Sequence, residues 1–257
     1  MGSIGEQESG KSGRRKPRFL CLHGFRTSGE IMRAQLVAKW PEQVISRLDL
    51  VFPDAPFPAG GKSEVDGIFP PPYYEWYQYD KDFMVYTNLD KAFARVEELM
   101  IEQGPFDGLM GFSQGAILSA ALASLQSKLD SCSSENNVMG DQGLALTTVP
   151  KVKYLVIMGG AMFKAPEVVE RVYSAAKIDC TSLHFIGEKD FLKKNGEQLL
   201  GKFVDPYLIR HPKGHTVPRL DDEESLKTTL EFLQKIEGGL CEEAEAVDGA
   251  CTEECSA

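Results

Sequence analysis

A serine set between glycines, Gly111-Phe112-Ser113-Gln114-Gly115, has the most direct chemical meaning of any residue group in this 257-residue chain. The apolar run Phe106–Met110 precedes it, and the small-residue stretch Ala116-Ile117-Leu118-Ser119-Ala120-Ala121 follows. A strand that turns sharply into a helix at Ser113 lifts the hydroxyl above the carboxyl edge of a sheet, and the glycines leave room for the tight turn. The new helix also aims its positive dipole end and free N–H groups at that spot. A hydroxyl is a poor nucleophile, so it needs a base, and the base needs an acid to orient it. In sheets of this kind the chain order is Ser, then Asp or Glu, then His.

Two histidines follow the serine outside a strand interior, His211 and His215. His215 lies in Gly214-His215-Thr216-Val217-Pro218, a loop beyond the last expected strand that can swing to a strand-edge serine, and it is the expected base. His211 ends that strand and is the second choice. His184, inside the apolar strand Leu183–Ile186, reads as a packed ring, and His23, ahead of the serine, as a brace. Asp190, in the turn Gly187-Glu188-Lys189-Asp190, is the expected orienting acid. Its rivals are Glu188, earlier in the turn, and Asp205, at a helix–strand junction on the wrong end of the sheet. Attack on a carbonyl creates an oxyanion, and the expected donors are the backbone N–H groups of Gln114 and of Phe25, in the loop Leu22-His23-Gly24-Phe25. The bland alternatives are a serine in a plain strand–helix loop and an aspartate that merely caps a helix. No spacing calls for a metal, and no cofactor is expected.

The elements that must position these groups alternate. Apolar runs at Arg18–His23, Leu48–Phe52, Phe106–Met110, Lys151–Met158, Ser182–Ile186 and Val204–Arg210 read as six strands. Helical spacing marks Ser28–Arg47 (interrupted by Pro41), Asn88–Gln103, Gln114–Leu129, Pro166–Ala176, Asn195–Phe203 and Asp221–Ile236. This alternation predicts an α/β fold, a mostly parallel sheet covered by helices on both faces. Two segments break it. Ser127–Val149 is polar and reads as a mobile surface insertion. Ala59–Val85 carries three successive prolines and then Tyr73, Tyr74, Trp76, Tyr77 and Tyr79. It reads as an aromatic wall over a ligand cleft, with Tyr74, Trp76 and Tyr77 as substrate contacts, or as a flank-packing loop, or as a polyproline ligand for another module.

The net charge is −10, but residues 237–257 hold seven acids and no base, and without them the balance is −3. So mild a surface argues against nucleic-acid binding. The expected organisation is a disordered leader over 1–17, one domain over 18–236 and an acidic disordered tail over 237–257. Arg14, Arg15, Lys16 and Arg18 form one basic cluster, read as a solvated terminus or a nuclear address. The longest apolar runs reach about half of a membrane span, and the first twenty residues are polar. Six cysteines without CxxC spacing read as reduced, and those at 241, 251 and 255 as part of a solvated tail rather than a metal site. The expected location is cytoplasmic, with nuclear as the variant.

Leu22-His23-Gly24-Phe25-Arg26, Phe106-Asp107-Gly108 leading into Gly111–Gly115, the Gly187–Asp190 turn, and His211-Pro212 with Gly214–Pro218 together resemble the FSH family of α/β-hydrolase serine hydrolases. The resemblance covers roughly residues 18–236, departing at Lys213-Gly214, where the family often has Gly-Gly. It implies a compact α/β-hydrolase with carboxylesterase or thioesterase activity and a triad of Ser113, Asp190 and His215. The expected partner is a small, largely apolar ester or thioester. The reading from a different class is a ligand receptor or scaffold with little turnover, because fold alone does not prove flux.

Overall fold

The computed structural model describes residues 15–132, 148–174 and 177–254. Its first strand, β1 (Arg18–Leu22), is followed by α1 (Gly29–Lys39), α2 (Glu42–Ile45) and β2 (Asp49–Val51). Ser28 starts α1 by accepting the Ile31 N–H at 3.2 Å, and Pro41 separates the two helices. Four short strands come next: β3 (Phe57–Pro58), β4 (Tyr74–Glu75), β5 (Gln78–Tyr79) and β6 (Tyr86–Thr87). The remaining order is α3 (Leu89–Gln103), β7 (Gly108–Phe112), α4 (Gln114–Cys132), β8 (Tyr154–Met158), α5 (Pro166–Tyr173), β9 (Thr181–Gly187), α6 (Lys193–Leu200), β10 (Tyr207–His211) and α7 (Glu223–Glu254).

Six strands form one sheet in the order β2-β1-β7-β8-β9-β10, and every pairing in it is parallel. Parallel strands are covered on both faces, which is why all five residues of β7 and of β8 are buried. Alternation along β1 splits the core: Leu20 and Leu22 pack with Phe93, Val96, Leu118 and Val172 from α3, α4 and α5. Phe19 and Cys21 pack on the other face with Met32 and Leu36 of α1 and Phe232 and Ile236 of α7. After β1 the chain steps outward to β2, then returns to the far side of β1 and proceeds to β10. The direction therefore reverses between β1 and β7, and the crevice beyond the carboxyl ends of those two strands is where such sheets hold ligands.

Three expectations change. The polar stretch from Ser127 does not leave the helix at once, because α4 runs to Cys132 and the Ser127 hydroxyl donates to Ala123 O at 3.0 Å. The insertion ends docked, with Thr148 donating to Glu97 from both its N–H and its hydroxyl; residues 133–147 lie outside the described residues. The tail does not begin as coil at 237, since α7 continues to Glu254. Leu240 is buried, Glu237 pairs with Arg47 and Glu243 with Lys153, each at 2.7 Å, so the first tail acids face bases of the folded body. Third, the last strand starts at Tyr207, not Val204. The leader residues 1–14 and residues 175–176 and 255–257 also lie outside the described set. Among the described residues no helix is long and apolar enough to cross a membrane.

Candidate active site

Ser113 stands between the end of β7 and the start of α4 at a φ of +53°, a left-handed conformation that costs a non-glycine residue about 1–3 kcal/mol. Its surroundings hold it there. The Ser113 N–H donates to Met158 O at 2.9 Å, tying the turn to β8. A Cβ on Gly115 would lie 2.0 Å from Leu22 O, and one on Gly111 2.5 Å from the Ala116 backbone, so only glycine lets the helix close onto β1.

The two partners arrive from further along the sheet. Ser113 Oγ–H donates to His215 Nε2 at 2.7 Å, and His215 Nδ1–H donates to Asp190 Oδ2 at 2.8 Å. A carboxylate only accepts, which fixes the proton on Nδ1 and leaves Nε2 free to take one. Asp190 follows β9 and also accepts the Leu192 N–H at 2.8 Å through Oδ1. Burial pushes its carboxyl up, but the hydrogen bonds from His215 and Leu192 and the neighbouring imidazoles outweigh it, leaving the group below its ordinary range. The His215 ring lies between Phe112 and Phe191, with centroids 5.1 and 4.8 Å away.

Two supports for this relay are not legible in the sequence. Gly159, at the end of β8, has a φ of +59°, and a Cβ there would stand 3.0 Å from His215 Cε1 and 3.3 Å from Asp190 Oδ2. Lys39, at the end of α1, donates to Thr216 Oγ1 and to Val217 O, both at 2.8 Å, while Trp40 Nε1 donates to Pro218 O at 3.2 Å. The helix end thus clasps the loop that carries His215. Burial lowers the Lys39 ammonium from its ordinary pKa, with Arg219 adding to the shift.

The rivals make no hydrogen bond to Ser113, His215 or Asp190 among the described residues. Glu188 pairs with Lys193 and Arg210 on the surface. Asp205 precedes β10, at the opposite end of the sheet, with a φ of +41°. His211 is buried, its Nδ1 without a partner among the described residues, and burial lowers its pKa. His184 is a packed ring as expected, bonded to Ser182 Oγ at 3.0 Å and lowered by burial to about 3. His23 is the brace: Nδ1–H donates to Gly24 O at 2.8 Å, Nε2 accepts the Ala55 N–H at 3.0 Å, and burial lowers it to about 4.

The loop that His23 braces runs against the serine, since a Cβ on Gly24 would lie 3.5 Å from Ser113 Cβ. Phe25 lines the cleft beside Ser113. Gln114 opens α4, where the first backbone N–H groups have no partner within the helix. Its side chain is tied to the aromatic segment: Oε1 accepts the Trp76 N–H at 2.9 Å and Nε2 donates to Tyr77 O at 2.7 Å.

Those two bonds decide the aromatic segment. Trp76 is fully buried, with Nε1 donating to His23 O at 3.0 Å, and does not line the cleft. Tyr74 pairs with Thr27 through its N–H and does not line the cleft either. Tyr77 alone of the expected trio lines it, joined by Tyr79, Phe83, Tyr86 and Phe163, around a cavity of about 80 Å3. In two-residue strands paired over so short a register, sequence alternation could not tell which rings face inward.

A model of the serine hydrolase (FSH1) family matches residues 12–226. An esterase of Anopheles gambiae is 29% identical over 229 residues, 85% of this chain and 77% of that protein. Esterase OVCA2 of Homo sapiens is 26% identical over 239 residues, 85% of this chain and 96% of that protein. Among solved structures, acyl-protein thioesterase 2 of Zea mays superposes with a TM-score of 0.58 at 19% identity, covering 88% of this chain and 96% of that one, a likeness of fold. With a family match over most of its length and an α/β-hydrolase sheet beneath the serine, this chain belongs to the FSH1 family of serine hydrolases, enzymes that act on ester bonds.

Proposed function

We propose that Ser113, His215 and Asp190 form a catalytic triad that cleaves a carboxylic ester or thioester of a small, largely apolar acyl group. The supporting observation is the continuous hydrogen-bond relay, 2.7 Å from Ser113 to His215 and 2.8 Å from His215 to Asp190. Ser113 Oγ attacks the carbonyl carbon while His215 Nε2 takes the hydroxyl proton, giving a tetrahedral oxyanion. The Gln114 and Phe25 N–H groups are the proposed donors to that oxyanion, each worth about 3–4 kcal/mol in the transition state. His215 then passes its proton to the departing alcohol or thiol as the acyl-serine forms. Water, deprotonated by the same nitrogen, releases the acid and restores the serine. Throughout, the Asp190 carboxylate holds the imidazole tautomer and stabilises its protonated form.

The test is turnover of aryl esters, alkyl esters and alkyl thioesters by the wild type and by Ser113→Ala. The wild type hydrolyses at least one class, and the variant loses at least about 10^3-fold in kcat. Equal turnover by the two proteins would overturn the assignment. The ratio of ester to thioester rates at matched acyl groups decides which bond the site prefers.

A further inference from the structure

One wall of the cleft beside Ser113 is the ring of Tyr86. Tyr86 meets Tyr77 edge-on at 5.9 Å and Phe163 nearly perpendicular at 4.9 Å, and both of those rings line the cleft. The Lys164 N–H donates to the Tyr86 hydroxyl at 3.1 Å, holding the ring in place. The same side chain lines a second concavity of about 540 Å3, bounded also by Val85, Leu89, Val168 and the ion pair of Arg171 with Asp90 at 2.9 Å. Tyr86 is therefore the wall between an inner slot of about 80 Å3 and an open outer groove.

Proton transfer fixes which part of a substrate occupies the slot. His215 hands its proton to the leaving group, so that group departs on the side of His215 and its exposed neighbour Phe191. The acyl part takes the remainder of the slot, between Ile117 and the rings of Tyr77, Phe163 and Tyr86. A cavity of about 150 Å3 holds benzene, so a slot of about 80 Å3 admits on the order of three heavy atoms. We infer that Tyr86 is the specificity-determining residue for acyl chain length, closing the slot behind a short chain and barring longer ones from the outer groove. The inference rests on the acyl-serine reading of Ser113.

The experiment is a series of p-nitrophenyl esters from acetyl to dodecanoyl, run on the wild type, Tyr86→Ala, Tyr86→Leu and Tyr86→Phe, with fluorophosphonate labelling of each protein. In the wild type kcat/KM peaks at a short acyl chain and falls beyond it. In Tyr86→Ala and Tyr86→Leu the peak moves to longer chains, with gains of up to about fourfold per added methylene. Tyr86→Phe retains the ring against Tyr77 and Phe163, so its peak stays at short chains even where loss of the Lys164 bond lowers kcat/KM. A wild-type peak already at dodecanoyl, or an unmoved peak in both truncations while Ser113 still labels in all four proteins, overturns the role of Tyr86 alone. A wild type that neither labels nor turns over any ester overturns the acyl-serine reading, and the role of Tyr86 falls with it. Tyr86→Leu, which retains apolar bulk, keeps the comparison meaningful if the alanine variant does not fold.

Discussion

Asp190→Asn preserves the outline of the side chain and removes the negative charge that His215 Nδ1–H meets at 2.8 Å. The amide presents donors as well as an acceptor, so it favours the imidazole tautomer with its proton on Nε2, which cannot accept from Ser113. The expected outcome is a kcat lower by on the order of 10^3–10^4-fold, with the thermal midpoint near that of the wild type; unchanged kcat would remove Asp190 from the relay. At this scale the sequence was informative wherever the requirement is local. Gly111 to Gly115 mark a strand–turn–helix junction within five residues, and the order of Ser113, Asp190 and His215 follows from strand ends. Gly159 was invisible because its constraint arises from contact with His215 and Asp190, far along the chain.

The loop that carries His215 is positioned less by its own sequence than by the end of α1. Lys39 donates two hydrogen bonds to Thr216 and Val217 and has a depressed pKa because it is partly buried there. Lys39→Met removes both hydrogen bonds and takes the ammonium donor from the carbonyl of buried Val217. The expected result is a loss of about 2 kcal/mol in urea unfolding together with a lower kcat at nearly constant KM. A variant that loses stability while retaining full kcat would make the clasp structural only. The six strands of the sheet, and the helices other than α7, were legible from apolar spacing to within a few residues, because burial on two faces demands it; α7 runs on to Glu254, well past the expected Ile236. The aromatic flap was not, because Gln114 sets which rings turn inward by hydrogen-bonding the backbone of Trp76 and Tyr77.

For the whole molecule, two buried histidines make the fold sensitive to acid. His23 and His184 have pKa values lowered by burial from 6.5 to about 4 and about 3. Both are neutral in the folded state, whereas the unfolded chain protonates them near 6.5, so below that pH the unfolded state binds more protons. Stability is therefore full above pH ~6.5 and falls toward pH 4, by up to about 1.4 kcal/mol per pH unit for each ring. Urea midpoints at pH 7 and pH 5 check this, and equal midpoints would contradict it. The start of the acidic tail departs from expectation at the same scale: its charge count suggests solvated coil, but Arg47 and Lys153 lie where α7 presents Glu237 and Glu243. Charge along a chain does not reveal which bases the fold will bring to meet it.

The most direct test of the central claim is to treat the purified protein with a fluorophosphonate and locate the adduct by peptide mass spectrometry. One adduct on Ser113, slowed strongly in His215→Ala and absent from Ser113→Ala, is the predicted result. Labelling at another serine, or undiminished labelling of Ser113→Ala, would contradict it.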